Sequence, residues 1–478
     1  MLGKHVLGYI PSNLIPALTA FGAVYCYTRL LSPEDYGHFA LALNSMTLLN
    51  AVFFTWLQTS LPRLMPEAVR EGKAAQLRAT TYAAFIGMSA VMVLCALLFI
   101  GTVPLGSLTQ VAWLAVPLAL ARAFLNMNQA FHRSALNFRA YNLIECGQAV
   151  LGFGIGLALV YFLQLGNLGA TSGMIIGMAC MALVDLKQLR NLAVDNFSLP
   201  MLRTIMKFGL PLTLSYGFAF IISTSDRFMI EYFQGAGAVG IYAAGFTLMD
   251  RIATIIFMMV ALPAFPLTIY KLEHEGHEAA RDQTYANGVA MLALALPACV
   301  GLILTNAQLG TVFIGESFRA GALQIMPWIA CSAILNGMAT HYFDHAFHLA
   351  KKPYLLLFTQ GPAALFNLAA NLYLIPKYGY MGAVYANVAS YIVLLTLSIV
   401  VGRRAFPVKF PFKPALQIAA AVGVMALVLT SVPFSHDFFG LVVKVAVGGV
   451  VYAAGILALN VMDSRARLIL ILRKSRAP

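Results

Sequence analysis

Apolar runs of about 20 residues follow one another along almost the whole chain. A helix of about 20 residues crosses a ~30 Å hydrocarbon core, whereas a membrane β-barrel shows alternating segments of about 10 residues. The runs therefore predict an all-α membrane protein with about 14 transmembrane helices. The predicted spans are residues 6–30, 37–61, 80–101, 110–131, 141–163, 168–186, 205–233, 239–266, 285–305, 320–347, 354–375, 382–401, 415–433 and 438–461.

The composition indicates that lipid is the solvent for most of the protein surface. Of the 478 residues, 60% are hydrophobic and only 10% are charged. A soluble domain has about a quarter of its residues charged. Membrane lipids are therefore expected to surround most of the chain.

The distribution of Lys and Arg predicts the orientation of the spans. With a cytoplasmic N-terminus, most of the 31 basic residues fall on the inner side, and the outer segments hold only Arg29, Arg319 and Lys377. Positive residues accumulate on the cytoplasmic side of membrane proteins. We therefore expect a multi-pass protein of a bacterial inner membrane with both termini in the cytoplasm. The net charge of +13 then reflects topology, and no aromatic-plus-basic cluster predicts a nucleic-acid partner.

Catalytic and metal chemistry find little support in the sequence. The six cysteines lie inside apolar spans without paired spacing, the loops are short, and no phosphate-binding loop is present. One helical face carries four side chains with metal-ligand spacing, His341, Asp344, His345 and His348. Such spacing can hold a metal ion, but histidines at the inner end of a span are also common at a membrane interface. We expect no enzyme activity, no cofactor and no metal site.

An internal repeat with an offset of about 200 residues divides the chain. The matched pairs are Pro11 and Pro211, Tyr36-Gly37 and Val239-Gly240, and LGNLGATSG (165–173) and YGYMGAVYA (378–386). Repeats around a central substrate site are common in transporters. The repeat predicts an N-lobe of helices 1–6 at 1–203 and a C-lobe of helices 7–12 at 204–405. Helices 13 and 14 and a basic cytoplasmic tail would follow at 406–478.

Three segments resemble the polysaccharide flippases. They are TRLLSPEDYGHFALAL (28–43), LPLTLSYGFAFIISTSDRFMIEYF (210–233) with VGIYAAGFTLMDR (239–251), and NLYLIPKYGYMGAVYANVASY (371–391). That family belongs to the multidrug/oligosaccharidyl-lipid/polysaccharide exporter superfamily. The resemblance implies two lobes around a central cavity and alternating access for an undecaprenyl-pyrophosphate-linked oligosaccharide. It also implies that the cargo moves from the inner to the outer leaflet, where the polysaccharide polymerase machinery is a possible partner.

Two arginines lie deep within predicted spans. Arg122 is near the middle of the fourth span, with no acidic residue at helical spacing, and Arg251 is equally deep in the eighth span beside Asp250. Neighbouring residues diverge by about 100° around a helix, so Asp250 does not simply cancel Arg251. A charge at mid-bilayer costs at least ~2.5–3.5 kcal/mol and usually faces protein or water. We expect both arginines to bind a pyrophosphate, and a structural ion pair between helices is the alternative.

The predicted cationic cavity also includes arginines nearer the membrane surfaces. For these, contact with lipid headgroups is the alternative. The predicted substrate-binding residues are Arg29, Arg63, Arg122, Arg227 and Arg251. Asp226 and Asp250 are predicted to orient these arginines or to couple transport to an ion.

Three other functions compete with a lipid-linked oligosaccharide flippase. A peptidoglycan lipid-precursor flippase would also have fourteen helices and a cationic cavity. A cation-coupled multidrug exporter needs buried carboxylates, and the deep interiors of the first four spans contain neither Asp nor Glu. A glycan polymerase or ligase needs a set of catalytic acids and bases on one face, which the sparse outer loops do not offer. Coupling to H⁺, to Na⁺ or to the membrane potential stays open.

Overall fold

The structure is a computed structural model that describes residue 8 and residues 10–186 and 196–465. Its apolar runs form helices because every backbone polar group in lipid must find a partner within the protein. The helices are α1 (Ile10–Leu30), α2 (Pro33–Phe53), α3 (Thr55–Arg70), α4 (Ala74–Thr102), α5 (Leu108–Ser134), α6 (Phe138–Leu163), α7 (Gly166–Asp185), α8 (Leu199–Gln234), α9 (Ala236–His274), α10 (His277–Leu304), α11 (Asn306–Phe313), α12 (Glu316–Met338), α13 (His345–Leu349), α14 (Leu356–Tyr378), α15 (Tyr380–Ala405), α16 (Phe412–Ser431) and α17 (Phe438–Ala458).

The helices confirm an all-α membrane protein. Within the described ranges, twelve helices are long and apolar enough to cross a membrane, and the bent pair α2 and α3 raises the number to thirteen. The 21-residue helix α1 covers the first predicted span. The count is therefore consistent with about 14 transmembrane helices.

A break between α2 and α3 corrects the prediction of one continuous span at 37–61. The helix is interrupted at Phe54, and its two halves are bent by 56°. Neither Pro nor Gly causes the bend. Thr55 Oγ1 donates to the Asn50 carbonyl at 3.2 Å, and Gln58 Nε2 donates to Asn50 Oδ1 at 2.9 Å. These side chains supply polar partners where the regular backbone ladder stops, as irregular membrane helices require.

Contacts group the chain into two compact units, Met1–Ala243 (unit 1) and Ala244–Pro478 (unit 2). In unit 1, α6 and α7 pack so closely that a Cβ on Gly173 would collide with the backbone of Gly156. Small residues at helix interfaces let backbones approach in lipid, where packing drives association. The repeat segment LGNLGATSG (165–173) thus lies at the start of the second helix of a tightly packed hairpin.

Two glycines of the predicted repeat meet each other in unit 1. A Cβ on Gly37 would collide with the Ala236 carbonyl, and a Cβ on Gly240 would collide with the Pro33 carbonyl. The approach is reciprocal, between the first turns of α2 and α9. A larger residue at either position would push the two helices apart.

Unit 2 has its own apolar core and its own tight hairpin. α14 packs against α15, and a Cβ on Gly382 would collide with the backbone at Leu374. Buried amides join the hairpin, since Asn371 Nδ2 donates to Asn367 Oδ1 at 2.9 Å and Asn367 Nδ2 donates to Ser390 Oγ at 3.1 Å. This hairpin contains residues 371–391, the segment that resembles the polysaccharide flippases.

The predicted division into residues 1–203, 204–405 and 406–478 stays a prediction. Its bounds differ from those of the two compact units. Part of the basic inner segments, including Lys187, Arg190 and the tail after residue 465, lies outside the described residues.

Candidate functional site

Arg122 lies in the middle of α5, with an acidic partner on the next helix. Its Nη2 is 3.9 Å from Glu145 Oε1 of α6, and the two side chains are 29% and 16% exposed. Glu145 Oε2 accepts hydrogen bonds from the amides of Gln129 and Gln148, each at 2.5 Å. The carboxylate is therefore held mainly by amides, and Arg122 contacts it only at long range.

Glu145 is a residue that the sequence analysis of Arg122 missed. The prediction considered acidic residues at helical spacing from Arg122 on its own helix, whereas Glu145 lies on a different helix. The available signal was Glu145 itself, an acidic residue inside the otherwise apolar run that became α6. A charge in such a run needs a partner or water.

Arg227 and Asp226 form a closed pair within α8. Arg227 Nη1 donates to Asp226 Oδ1 at 3.0 Å and to the Ser223 carbonyl at 2.7 Å. Tyr242 donates a short hydrogen bond to Asp226 Oδ2, and its ring centroid lies 5.4 Å from the guanidinium carbon of Arg227. Arg227 and Asp226 are both buried. In this conformation Arg227 and Asp226 contact each other, and the orienting role of Asp226 stays a prediction.

Arg29 and Arg63 are exposed at other points of unit 1. Arg29 ends α1, donates to the Tyr25 carbonyl at 2.9 Å, and lies 3.9 Å from the centroid of the Tyr25 ring. Arg63 lies in α3 beyond the break at Phe54. Both guanidinium groups are accessible.

Arg251 is the predicted site residue that lies in unit 2. It follows Ala236, the start of α9, by 15 residues, which is about 22 Å along a helix. Its side chain is exposed, and among the described residues of unit 2 no acidic group lies within ion-pair distance of it. The neighbouring Asp250 is half-buried on a different side of the helix. Arg251 is therefore a deep, accessible guanidinium without an acidic counter-ion in its unit.

Two buried acids were not among the predicted site residues. In unit 1, Asp185 of α7 lies with its Oδ1 at 3.0 Å from His132 Nε2 of α5, and both side chains are buried. In unit 2, Asp344 between α12 and α13 accepts a hydrogen bond from Ser398 Oγ of α15 at 2.7 Å and is only 3% exposed. The sequence offered a signal for the second acid, because Asp344 belonged to the histidine-bearing face.

No group of three or more His, Cys, Asp or Glu side chains is placed to hold a metal ion in the part of the chain that the structure describes. The rings on the His341–His348 face contact aromatic residues instead. The His345 ring lies 4.5 Å from Phe265, and the His341 ring stacks 6.0 Å from Phe257. The His341 and His345 side chains thus pack against aromatic residues of α9.

Comparisons with known proteins agree on the family and the fold. Residues 2–272 match the family described as polysaccharide biosynthesis protein. An uncharacterised membrane protein of Methanocaldococcus jannaschii is 22% identical, and the match covers 94% of this chain and 93% of that protein.

Solved transporter structures share the fold at low sequence identity. The lipid II flippase MurJ in an inward closed conformation superposes with a TM-score of 0.76 at 15% identity, over 97% of this chain and 100% of that chain. An inward-facing multidrug resistance MATE family transporter of the MOP superfamily gives 0.61 at 15% identity, over 81% and 93%. The fold is thus the one found in flippases and exporters of that superfamily, as the resemblance implied.

Proposed function

The chain belongs to the polysaccharide biosynthesis protein family, and from this premise we propose that it is a flippase for undecaprenyl-pyrophosphate-linked oligosaccharides. It moves the repeat unit from the inner to the outer leaflet of a bacterial inner membrane by alternating access. Both termini lie in the cytoplasm, and the cargo passes to the polysaccharide polymerase machinery outside. The protein is a transporter, and no step of this proposal makes or breaks a bond in the cargo.

Arg251 carries the proposal. An exposed guanidinium about 22 Å along a transmembrane helix is costly in acyl chains, so its position favours contact with water or an anionic ligand. Its planar fork donates two parallel hydrogen bonds to a phosphate and stays charged when water is removed. A pyrophosphate offers the oxygens that such a group binds.

Arg122 of unit 1 is a second candidate for binding a phosphate of the cargo. Its guanidinium reaches Glu145 only at 3.9 Å, whereas two amides already hold that carboxylate. A phosphate oxygen at hydrogen-bonding distance would compete well with this long contact. Arg29 and Arg63 are accessible and serve as entry or exit contacts, whereas Arg227 keeps a structural role while it is paired with Asp226.

The membrane potential favours the proposed direction. Moving one negative charge out of a negative cytoplasm gains ~2.3 kcal/mol per 100 mV. A pyrophosphate with about two charges therefore gains roughly 4–5 kcal/mol if it crosses without a counter-ion. Export down this potential needs no nucleotide hydrolysis by the chain itself.

Deletion of the gene in its host tests the cargo. Mass spectrometry of lipid extracts should show accumulated polyprenyl-pyrophosphate oligosaccharides, and the wild-type gene should clear them. The Arg251→Ala variant should fail to clear them, whereas Arg403→Ala, at an exposed position near the end of α15, should clear them fully. Accumulation of the peptidoglycan precursor alone, or drug sensitivity without any accumulated lipid, would contradict this cargo.

A further inference from the structure

Asp344 is an acid of unit 2 that the proposed cargo contacts do not use. Its carboxylate is 3% exposed and accepts one hydrogen bond from Ser398 Oγ at 2.7 Å. No Lys, Arg or His nitrogen lies within ion-pair distance of it among the described residues. A carboxylate buried in a membrane protein without a counter-ion is strongly disfavoured, whereas the protonated acid is tolerated.

The helices packed against Asp344 supply no compensating cation. α15 carries Ser398 and two charged residues, Arg403 and Arg404. Both arginines are exposed at the end of the helix. On α10, Glu278 and Arg281 pair with each other at 2.7 Å. The other ionisable side chains of the same segment as Asp344 are His341, Tyr342, His345 and His348, and the Tyr342 hydroxyl donates to the Lys409 carbonyl at 2.9 Å.

An irregular turn places Asp344 in this position. Its backbone N–H donates to the Ala339 carbonyl at 2.9 Å, five residues earlier, so residues Ala339–Phe343 form a π-helical turn. Such turns insert one extra residue into a helix and are frequent at functional sites. After this turn the carboxyl group of Asp344 contacts α15, whereas the rings of His345 and His348 lie against Phe265 of α9.

Two histidines lie between Asp344 and the exposed end of this segment. His345 follows Asp344 directly and is half-buried against the Phe265 ring. His348 lies one turn further along the face and is exposed, next to the exposed Lys351. His348 thus brings an exposed ionisable side chain to within about one helical turn of the buried acid.

We propose that Asp344 is a proton-binding site that takes up and releases one proton during the transport cycle. The proton bonds to a carboxyl oxygen of Asp344 in the conformation described here, and it passes to water when a later step of the cycle opens access to this acid. The coupling of this proton to transport rests on the proposed function. The uptake and release of a proton by Asp344 are independent of that function. A hard metal cation would need several oxygen ligands, whereas in the described ranges the side-chain oxygen bonded to Asp344 is that of Ser398.

Infrared difference spectroscopy of the full-length protein in lipid tests the site without any cargo. A pH change in the wild-type protein should alter the C=O stretching band of a protonated carboxyl group. Asp344→Asn should remove that band, whereas Asp437→Asn, at an exposed loop position that caps α17, should keep it. Ser398→Ala keeps the acid and should shift the band frequency, because the hydrogen bond to the carboxyl group is lost.

The outcomes separate this site from the proposed cargo. An Asp344→Asn spectrum equal to that of the wild type would overturn the proton site. A band that responds to Na⁺ at constant pH would also overturn it, in favour of a sodium site. If the band behaves as expected but no lipid-linked glycan is transported, the proton site stands and the proposed cargo falls. In vesicles that do transport the glycan, a pH gradient should change the wild-type rate but not the Asp344→Asn rate.

Discussion

The two compact units differ in the partners of their most deeply placed charged side chains. In unit 1, His132 pairs with Asp185. Asp226 and Arg227, which are neighbours in the sequence, pair with each other. In unit 2, the exposed Arg251 and the buried Asp344 have no ion-pair partner among the described residues of that unit. Removing one partner of a buried pair leaves an uncompensated charge and destabilises the fold, whereas a charge without such a partner is available to a ligand or a proton.

The comparison is sharpest at positions that the repeat relates. Asp185 of α7 and Ser398 of α15 are separated by the same offset as the segments 165–173 and 378–386. At one position an acid meets His132, and at the other a hydroxyl meets Asp344. The same helix–helix contact thus carries a structural pair in unit 1 and a lone acid in unit 2. Four predictions about the free energy of unfolding test this contrast.

The largest effect is expected from His132→Ala. The substitution leaves Asp185 buried without its imidazole partner, and breaking a buried pair in this way costs about 3–5 kcal/mol. Unfolding in mixed micelles would measure the loss. The double variant with Asp185→Asn should recover most of it. A single variant as stable as the wild type would show that unit 1 does not depend on this pair.

A smaller loss is expected from Asp226→Asn. The amide still accepts a hydrogen bond but no longer neutralises the buried Arg227, so we expect a cost of about 1–3 kcal/mol in the same assay. Asp437→Asn is the matched control, because that acid is exposed and Asn also caps helices well. Equal stability of the two variants would mean that Arg227 finds other partners.

Ser398→Ala should cost still less. It removes one hydrogen bond to Asp344, which is worth about 0.5–1.5 kcal/mol when the acceptor is a neutral acid. A loss of more than about 3 kcal/mol would indicate that Asp344 is a carboxylate that depends on the hydroxyl. That result would break the contrast with Asp185.

The smallest effect is expected from Arg251→Ala. An exposed side chain without an ion-pair partner in its unit changes stability by no more than about 0.5 kcal/mol. Arg403→Ala serves as the reference for an exposed arginine. A marked destabilisation by Arg251→Ala alone would show that Arg251 supports the fold and is not held available for a ligand.

The sequence predicted the helical membrane fold well because each transmembrane helix needs its own apolar run. It could not predict the break at Phe54. The bend depends on hydrogen bonds from Thr55 and Gln58 to Asn50, and these polar residues carry no local breaking signal such as Pro or Gly. The pattern of hydropathy therefore shows one run where the structure has two helices.

The depth of the candidate arginines could be predicted from the sequence, but the side chains that contact them could not. Arg122 and Arg251 were found by their depth within apolar runs, which is a local property of the sequence. The contact of Arg122 with Glu145, and the burial of Asp344 against Ser398, depend on which helices pack together. Helical spacing within one segment carries no information about such contacts.

Binding of undecaprenyl pyrophosphate to the purified full-length protein in lipid nanodiscs tests the central claim most directly. A charge-assisted hydrogen bond contributes about 1.5–3 kcal/mol, so Arg251→Ala should weaken binding by about 10–100-fold, while Arg403→Ala should bind as the wild type does. Equal affinity of the wild type and Arg251→Ala would contradict the claim that this unpaired arginine binds the phosphate of the cargo.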